Sequence, residues 1–310
     1  MSSSPIRIAT RKSALALWQA EHVAARLRAL APERPVELVP MSTEGDRNLG
    51  ISLATSGGKG LFVKELELAL LDGRADLAVH SMKDVPVLLA PEFVIGAVLE
   101  REVPYDAFLS MHYKEFAALP QGAKVGSSSL RRQSQLLHRR PDLAIEALRG
   151  NVDTRLRKLE QGQYDAIILA VAGLKRLGLA EAITQILDPD LCLPAITQGV
   201  IGIECRARDE VNRVLLAQLN HASTWNCVVA ERALSTGLSG SCNLPLAGHA
   251  ALNGAMLSLR GRVVSPDGRR LLEGAVSGPA TQAEALGLKL AHDLLAKGAG
   301  EVLRDVQNSV

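Results

Sequence analysis

Six arginines stand beside glycine or serine where short apolar runs end, a placement suited to binding anions. They are Arg11 in Thr10-Arg11-Lys12-Ser13, Arg131 and Arg132 after Gly126-Ser127-Ser128-Ser129-Leu130, Arg149 and Arg155 in the stretch 148–155, and Arg176 after Gly173-Leu174-Lys175. Apolar runs at 6–9, 143–148 and 166–172 precede several of them. With those runs as strands, the guanidinium groups share a sheet edge with open helix N-terminal amides. Such an edge binds anions, and guanidinium forks match carboxylates or phosphates two oxygens at a time. Ser127, Ser128 and Ser129 can donate to the same anion or cap the next helix, and the spacing fits both.

A carboxylate of the opposite chemistry follows the apolar run at 76–80, in Ser81-Met82-Lys83-Asp84. Strand ends are where α/β proteins present catalytic groups. Lys83 favours the ionised form of Asp84, which suits stabilisation of a cation. The competing reading is a structural Asp84 that caps a turn or pairs with Lys83. His80, on the buried run itself, reads as a hydrogen-bonded core residue. Gly57-Gly58-Lys59-Gly60 lacks the first glycine of a phosphate loop and carries glycine where serine or threonine would hold magnesium, so it reads as a cleft loop. Nothing beside Lys175 marks a Schiff-base site. Cys192, Cys205, Cys227 and Cys242 form no C-x-x-C pair and no zinc pattern. The first three have apolar neighbours and read as core, whereas Cys242 lies in a turn-forming loop, 237–245, that would hold its sulfur near solvent.

The elements that must position these groups follow a repeated grammar. A strand at 6–9 leads to a helix from 14 to about 30, capped by Ser13 and burying Leu17, Ala20, Ala24 and Leu27. A strand at 36–40, a helix at 61–71 ending at Gly73, and strands at 76–80 and 93–99 follow. The pattern restarts with a strand at 124–125, a helix at 130–139, a strand at 143–148, a helix at 152–160 and a strand at 166–171. Such alternation predicts parallel βαβ units. A strand at 200–203 and a helix at 210–219 return to the first domain. Beyond about 220 the grammar changes: a helix at 224–234, antiparallel strands at 248–251, 256–264 and 271–276 with a hairpin at Pro266-Asp267-Gly268, and a closing helix at 282–295. The expected domains are 1–99 with 200–219, 100–199, and 220–310, the last carrying Cys242.

Bulk composition narrows the ligand. The chain has 310 residues, 47% of them hydrophobic, enough for two or three buried cores. Lys and Arg (35) nearly cancel Asp and Glu (33), and aromatics make up 3%. Broad nucleic-acid binding is therefore not expected, and a small acidic ligand is. No apolar run approaches the ~20 residues of a membrane span. Residues 1–5 hold no apolar core of a signal peptide, so the cytosol is the expected compartment.

Taken together these residues resemble the hydroxymethylbilane synthase (porphobilinogen deaminase) family over almost the whole chain. The stretches that carry the resemblance are 9–18 (Ala-Thr-Arg-Lys-Ser-Ala-Leu-Ala-Leu-Trp), 57–66 (Gly-Gly-Lys-Gly-Leu-Phe-Val-Lys-Glu-Leu), 78–86 (Ala-Val-His-Ser-Met-Lys-Asp-Val-Pro), 128–132 (Ser-Ser-Leu-Arg-Arg), 148–152 (Leu-Arg-Gly-Asn-Val) and 170–177 (Ala-Val-Ala-Gly-Leu-Lys-Arg-Leu). The resemblance implies an α/β fold with two periplasmic-binding-protein-like domains around a cleft and a smaller C-terminal α+β domain. It implies head-to-tail joining of four porphobilinogen molecules with loss of ammonia, then release of linear hydroxymethylbilane by water. It also implies a dipyrromethane cofactor in thioether linkage to Cys242, and a monomer. By the same resemblance Asp84 and Lys83 are catalytic, and Ser13, Lys83, Ser127, Ser129, Arg131, Arg132 and Arg149 bind the cofactor. Arg11, Arg149, Arg155, Arg176 and Phe62 bind substrate, and Lys59 lies in the cleft loop.

The reaction suits the residues. Each pyrrole carries acetate and propionate, so several arginines are needed, and loss of ammonia leaves an electron-poor azafulvene, cationic when protonated, that a fixed carboxylate steadies. Thr55, Val103, Tyr105, Thr197 and Ser241 depart from the family pattern, Thr197 standing where relatives have glycine. A two-lobed binding protein for a small carboxylate or phosphate is the main non-enzyme alternative.

Overall fold

The computed structural model describes residues 4–43, 63–238 and 244–308. In chain order it begins with β1 (Ile6–Arg11), α1 (Ala14–Leu30), β2 (Val36–Met41), α2 (Lys64–Leu71), β3 (Leu77–Ser81) and β4 (Phe93–Val98). Next come β5 (Asp106–Leu109), β6 (Lys124–Gly126), α3 (Leu130–Arg139), β7 (Ala144–Glu146), α4 (Val152–Glu160), β8 (Ala166–Ala170), α5 (Val171–Arg176) and β9 (Gln185–Ile186). The chain continues through β10 (Ile201–Arg206), α6 (Glu210–Ala217), α7 (Ala222–Gly237), β11 (Leu246–Asn253), β12 (Met256–Val264), β13 (Leu271–Pro279), α8 (Ala283–Ala296) and α9 (Ala299–Asn308). Among the described residues one unit draws on 4–43, 63–101 and 200–225, and the other on 102–199, 226–238 and 244–308.

The first unit holds a sheet of order β2-β1-β3-β10-β4. Ser13 caps α1 as its sequence predicts, its Oγ accepting from the Ala16 amide at 3.3 Å. The helix then buries Ala20, Val23, Ala24 and Leu27 against Ile6, Ile8, Leu77, Val79 and Ile203. Each fully buried aliphatic of this size contributes about 1.5–3 kcal/mol. The second unit contains a sheet of the same layout, β7-β6-β8-β5-β9.

Both sheets depart from the all-parallel expectation in one strand. β10 runs antiparallel to β3 and β4, and β5 runs antiparallel to β8 and β9. Both odd strands stand outside the βαβ repeats: β5 enters its sheet directly from β4 of the other sheet, and β10 from β9. The antiparallel sense brings the first residue of β5 opposite the last of β8, pairing Asp106 with Ala170. A charged residue thereby reaches the edge at which the parallel strands end.

Residues 226–308 add the antiparallel sheet β11-β12-β13, covered by α8 through Leu286, Leu290 and Leu294. The 265–270 hairpin turns at Gly268, φ 76°, with Asp267 accepting from the Ser265 hydroxyl and the Arg269 amide. Where α8 crosses α7, Gly287 is required: a Cβ there would stand 2.3 Å from the Ala230 carbonyl oxygen. This sheet also braces α3. Arg262 of β12 donates to Gln135 at 3.0 Å, and the Gln135 amide donates to the Arg131 carbonyl at 3.0 Å.

Candidate functional site

In the first unit, Arg11 closes β1 and Ser13 opens α1 at the same sheet edge as the end of β3. Beyond β3 the chain makes a single 3₁₀ turn, Met82–Asp84, closed by the Val85 amide on the Met82 carbonyl. Met82 is the anchor. Its buried side chain lies over Gly202 of β10, where a Cβ would come within 2.1 Å of the sulfur. With Met82 turned inward, Lys83 and Asp84 are left half-buried at the edge. The turn is closed by main chain, and among the described residues nothing caps or pairs with the Asp84 carboxylate.

The floor of this edge is polar and paired. Ser81 and the Gln19 amide exchange hydrogen bonds at 2.9 and 3.2 Å. His80 is indeed a core residue, its Nε2 lying 2.7 Å from Oε2 of the fully buried Glu204. Burial, then the negative charge of Glu204, holds the Glu67 carboxyl above its ordinary value.

In the second unit β6, β7 and β8 are parallel, so Ser127–Ser129, Arg149 and Arg176 all follow strand ends on one edge. Ser129 occupies the N-cap position of α3 by its backbone, yet its hydroxyl accepts nothing from the helix amides. Ser127 Oγ accepts from the Ser129 amide at 3.3 Å, and Ser128 Oγ donates to the Leu148 carbonyl at 2.9 Å. The second bond ties the loop before α3 to the loop that carries Arg149. That loop turns at Gly150, φ 111°, and α4 grips it from behind: Arg155 Nε donates to the Gly150 carbonyl at 2.8 Å and Lys158 to the Arg149 carbonyl at 3.3 Å.

Arg131 and Arg132 are not surface cations. They are 4% and 7% exposed and share the fully buried Asp106. Arg131 Nη1 stands 2.8 Å from Asp106 Oδ2, and Arg132 Nη2 stands 2.7 Å from Oδ1. Carbonyls of Leu193 and Ile168 take a further N–H from each, at 2.7 and 3.0 Å. Burial pushes the Asp106 carboxyl up, but the two guanidinium groups outweigh it and hold it well below the usual carboxylate range. Burial, joined by the charge of Asp106, pushes the neighbouring Cys192 thiol up to about 12. Two cations against one anion leave the trio one unit positive, and the Arg131 Nε–H is buried with no protein acceptor. A buried donor left open costs about 1–3 kcal/mol unless an acceptor arrives.

Arg176 donates to the Gly199 carbonyl at 2.7 Å, and burial lowers its pKa to about 10 against the pull of Glu102. Lys175 is paired with Glu102 at 2.6 Å. Cys192, Cys205 and Cys227 are buried and in no disulfide, as expected. Thr197, one of the departures, has φ 58° and is the one non-glycine residue at positive φ among those described. Its amide is held by the buried carboxylate of Glu231. Of the other departures, Val103 packs on the Ile167–Leu169 side of the core and Tyr105 sits 5.9 Å from the His249 ring. Cys242, Lys59 and Phe62, with Thr55 and Ser241, lie outside the described residues.

Sequence reasoning missed Asp106, Gln198, Glu204 and Glu231. The one signal for Asp106 was an acid opening the apolar run Ala107-Phe108-Leu109. Among the described residues no His, Cys, Asp and Glu cluster could hold a metal ion, and no helix is long and apolar enough to cross a membrane.

Comparison with known proteins gives two family matches. The family described as porphobilinogen deaminase, dipyromethane cofactor binding domain, matches residues 6–213, and the porphobilinogen deaminase C-terminal domain matches residues 225–296. Solved structures of similar shape include a putative methionine-binding lipoprotein from Bacillus subtilis, 13% identical, covering 71% of this chain and 90% of its own, with a TM-score of 0.44. The periplasmic VFT2 domain of Bordetella pertussis BvgS is 14% identical, covering 69% of this chain and 86% of its own, with a TM-score of 0.43. The methionine-binding protein MetQ is 17% identical, covering 70% and 89%, also with a TM-score of 0.43.

Proposed function

This chain belongs to the porphobilinogen deaminase family, and from that premise we propose how its own residues carry the family's reaction. The enzyme is a transferase of tetrapyrrole biosynthesis that joins porphobilinogen units head to tail, releases ammonia and yields linear hydroxymethylbilane. Its cofactor is dipyrromethane, attached in this reading through Cys242. When bound, the dipyrromethane supplies the terminal pyrrole to which substrate units are added. The protein works as a monomer in the cytoplasm, without nucleic acid.

Arg131, Arg132 and Arg149, with Ser127, Ser129, Ser13 and Lys83, hold the cofactor's carboxylates. The observation that carries this assignment is that the trio of Arg131, Arg132 and Asp106 stays one unit positive at the edge where the parallel strands end. Arg11, Arg149, Arg155 and Arg176 take the acetate and propionate of incoming porphobilinogen, each guanidinium matching a carboxylate in two bonds. By the family resemblance Phe62 is assigned to the substrate and Lys59 to the cleft loop. Asp84, whose carboxylate has no cap or partner among the described residues, faces the pyrrole N–H in this reading. Its negative charge steadies the cation that forms as the C–N bond to ammonia breaks, and its oxygens move the proton during coupling.

Incubation of cofactor-loaded protein with porphobilinogen tests the reading: ammonia and hydroxymethylbilane are expected, and the absence of both refutes it. Cys242→Ser abolishes the cofactor adduct in an intact-mass measurement; an unchanged adduct mass moves the attachment elsewhere. Arg149→Ala or Arg155→Ala impairs loading or elongation, and normal loading and elongation removes that arginine from the set.

A further inference from the structure

Asp106 stands where the acid-binding arginines meet the segment 195–199. Arg131 and Arg132 donate to its two oxygens, the Gln198 amide donates to Oδ1 at 3.0 Å, and the Cys192 thiol donates to Oδ2 at 3.4 Å. Gln198 is itself fixed, its amide also bonding the Pro104 carbonyl at 2.6 Å. On one side of it Thr197 is pinned to Glu231, and on the other the Gly199 carbonyl accepts from Arg176. Three of the six arginines are thus oriented from one small stretch of chain and one carboxylate.

Two roles for Asp106 are chemically distinct. As a counter-ion alone it would offset burial of two cations and weaken their pull on an anion. As a clamp it holds both guanidinium planes still, so that they meet an acidic ligand without losing side-chain freedom on binding. We propose that Asp106 is a positioning residue of the acid-binding edge: it fixes the guanidinium planes of Arg131 and Arg132 for the cofactor's carboxylates, although it cancels one of their two charges. This rests on the assignment of both arginines to the cofactor made above. Arg132 spends Nε and Nη2 on the same Asp106 oxygen and Nη1 on Ile168, so its plane has no rotation left. Arg131, held at Nη1 by both Asp106 and Leu193, keeps its Nε–H open.

The two roles predict opposite signs for Asp106→Asn in the full chain. The change raises the local charge of the trio by one unit. Positioning predicts that cofactor occupancy, read by intact mass, falls about tenfold, the loss expected of one charge-assisted contact. Full occupancy overturns the proposal. Asp106→Glu keeps the charge and shifts the carboxylate by one methylene, and an intermediate occupancy is expected of it; an occupancy as low as that of Asp106→Asn contradicts the clamp. Should Asp106→Asn not fold, Gln198→Met removes one bond to Oδ1 and leaves the ion trio intact. It is expected to lower occupancy about threefold, and full occupancy refutes positioning. Wild-type protein run beside the variants separates the two levels: if it makes no hydroxymethylbilane the functional reading fails, and if it does while the variants match it only Asp106 is dismissed.

Discussion

The two five-stranded sheets share one strand order and one antiparallel strand in the same place, yet their edges carry opposite chemistry. On the first, a methionine anchor leaves an uncapped carboxylate at the surface of a short turn. On the second, two arginines are sunk beside a buried aspartate and stay one charge in excess. The lesson is that the strand order sets where groups emerge, while the residue buried beneath them sets what they can do. Under Asp84 lies the Met82 sulfur against Gly202, an apolar anchor that leaves the carboxylate at the edge without a hydrogen-bond partner among the described residues. Beneath Arg131 and Arg132 lies Asp106, which makes them part of the core as well as of the edge.

The contrast breaks most visibly in stability. Arg132→Ala strands Asp106 with one partner fewer, and losing one member of a buried charge pair costs about 3–5 kcal/mol. Arg11→Ala, at a half-buried strand end, should stay within about 1 kcal/mol. Chemical denaturation of both variants compares the edges directly, and equal losses would erase the difference.

Gly202→Ala probes the methionine anchor. A methyl group 2.1 Å from the Met82 sulfur must displace that side chain, at about 1–3 kcal/mol for overpacking. The turn that carries Asp84 moves with it, so kcat is expected to fall while cofactor occupancy stays full. A variant with wild-type kcat would mean that Met82 does not set the position of Asp84.

The pH dependence separates the edges again. The Asp106 carboxyl is held below its ordinary value in the folded protein, so its contribution is fully present above the unfolded carboxylate pKa of about 3.9 and is lost as pH falls below it. The stability gap between wild type and Asp106→Asn should therefore be flat from neutral pH down to about 5 and close in stronger acid. Thermal unfolding at several pH values checks it, and a gap that closes above pH 5 contradicts the clamp.

The smallest effect is expected at Thr197. Its φ of 58° costs a non-glycine residue about 1–2 kcal/mol, part of which glycine returns as lost chain entropy. Thr197→Gly should raise stability by about 0.5–1 kcal/mol without changing KM. A lower melting temperature would show that the threonine hydroxyl, bonded to the Ile196 carbonyl, outweighs the backbone strain.

Much of this was legible in the chain. The helices Leu130–Arg139 and Val152–Glu160 and the strand Met256–Val264 match their sequence-based bounds, because periodicity and end signals are local. The Ser13 cap and the turn at Gly268 were legible for the same reason. The direction of β5 and β10 was not, since each enters its sheet from the other sheet and its sense is set by that connection and not by any residue in the strand. Nor was the burial of Arg131 and Arg132: both sit in a polar first turn, and only the antiparallel β5 carries Asp106 back to meet them. Thr197 was visible as a departure, but its positive φ and its tether to Glu231 required the fold.

The central claim, that arginines hold the acid groups while Asp84 handles the cation, is tested most directly with cofactor-loaded Asp84→Asn and one equivalent of porphobilinogen, following ammonia by rapid quench beside a measurement of bound substrate. The account predicts binding close to wild type and ammonia release slowed at least about a hundredfold. Release at the wild-type rate, or loss of binding with the rate of release unchanged, would contradict it.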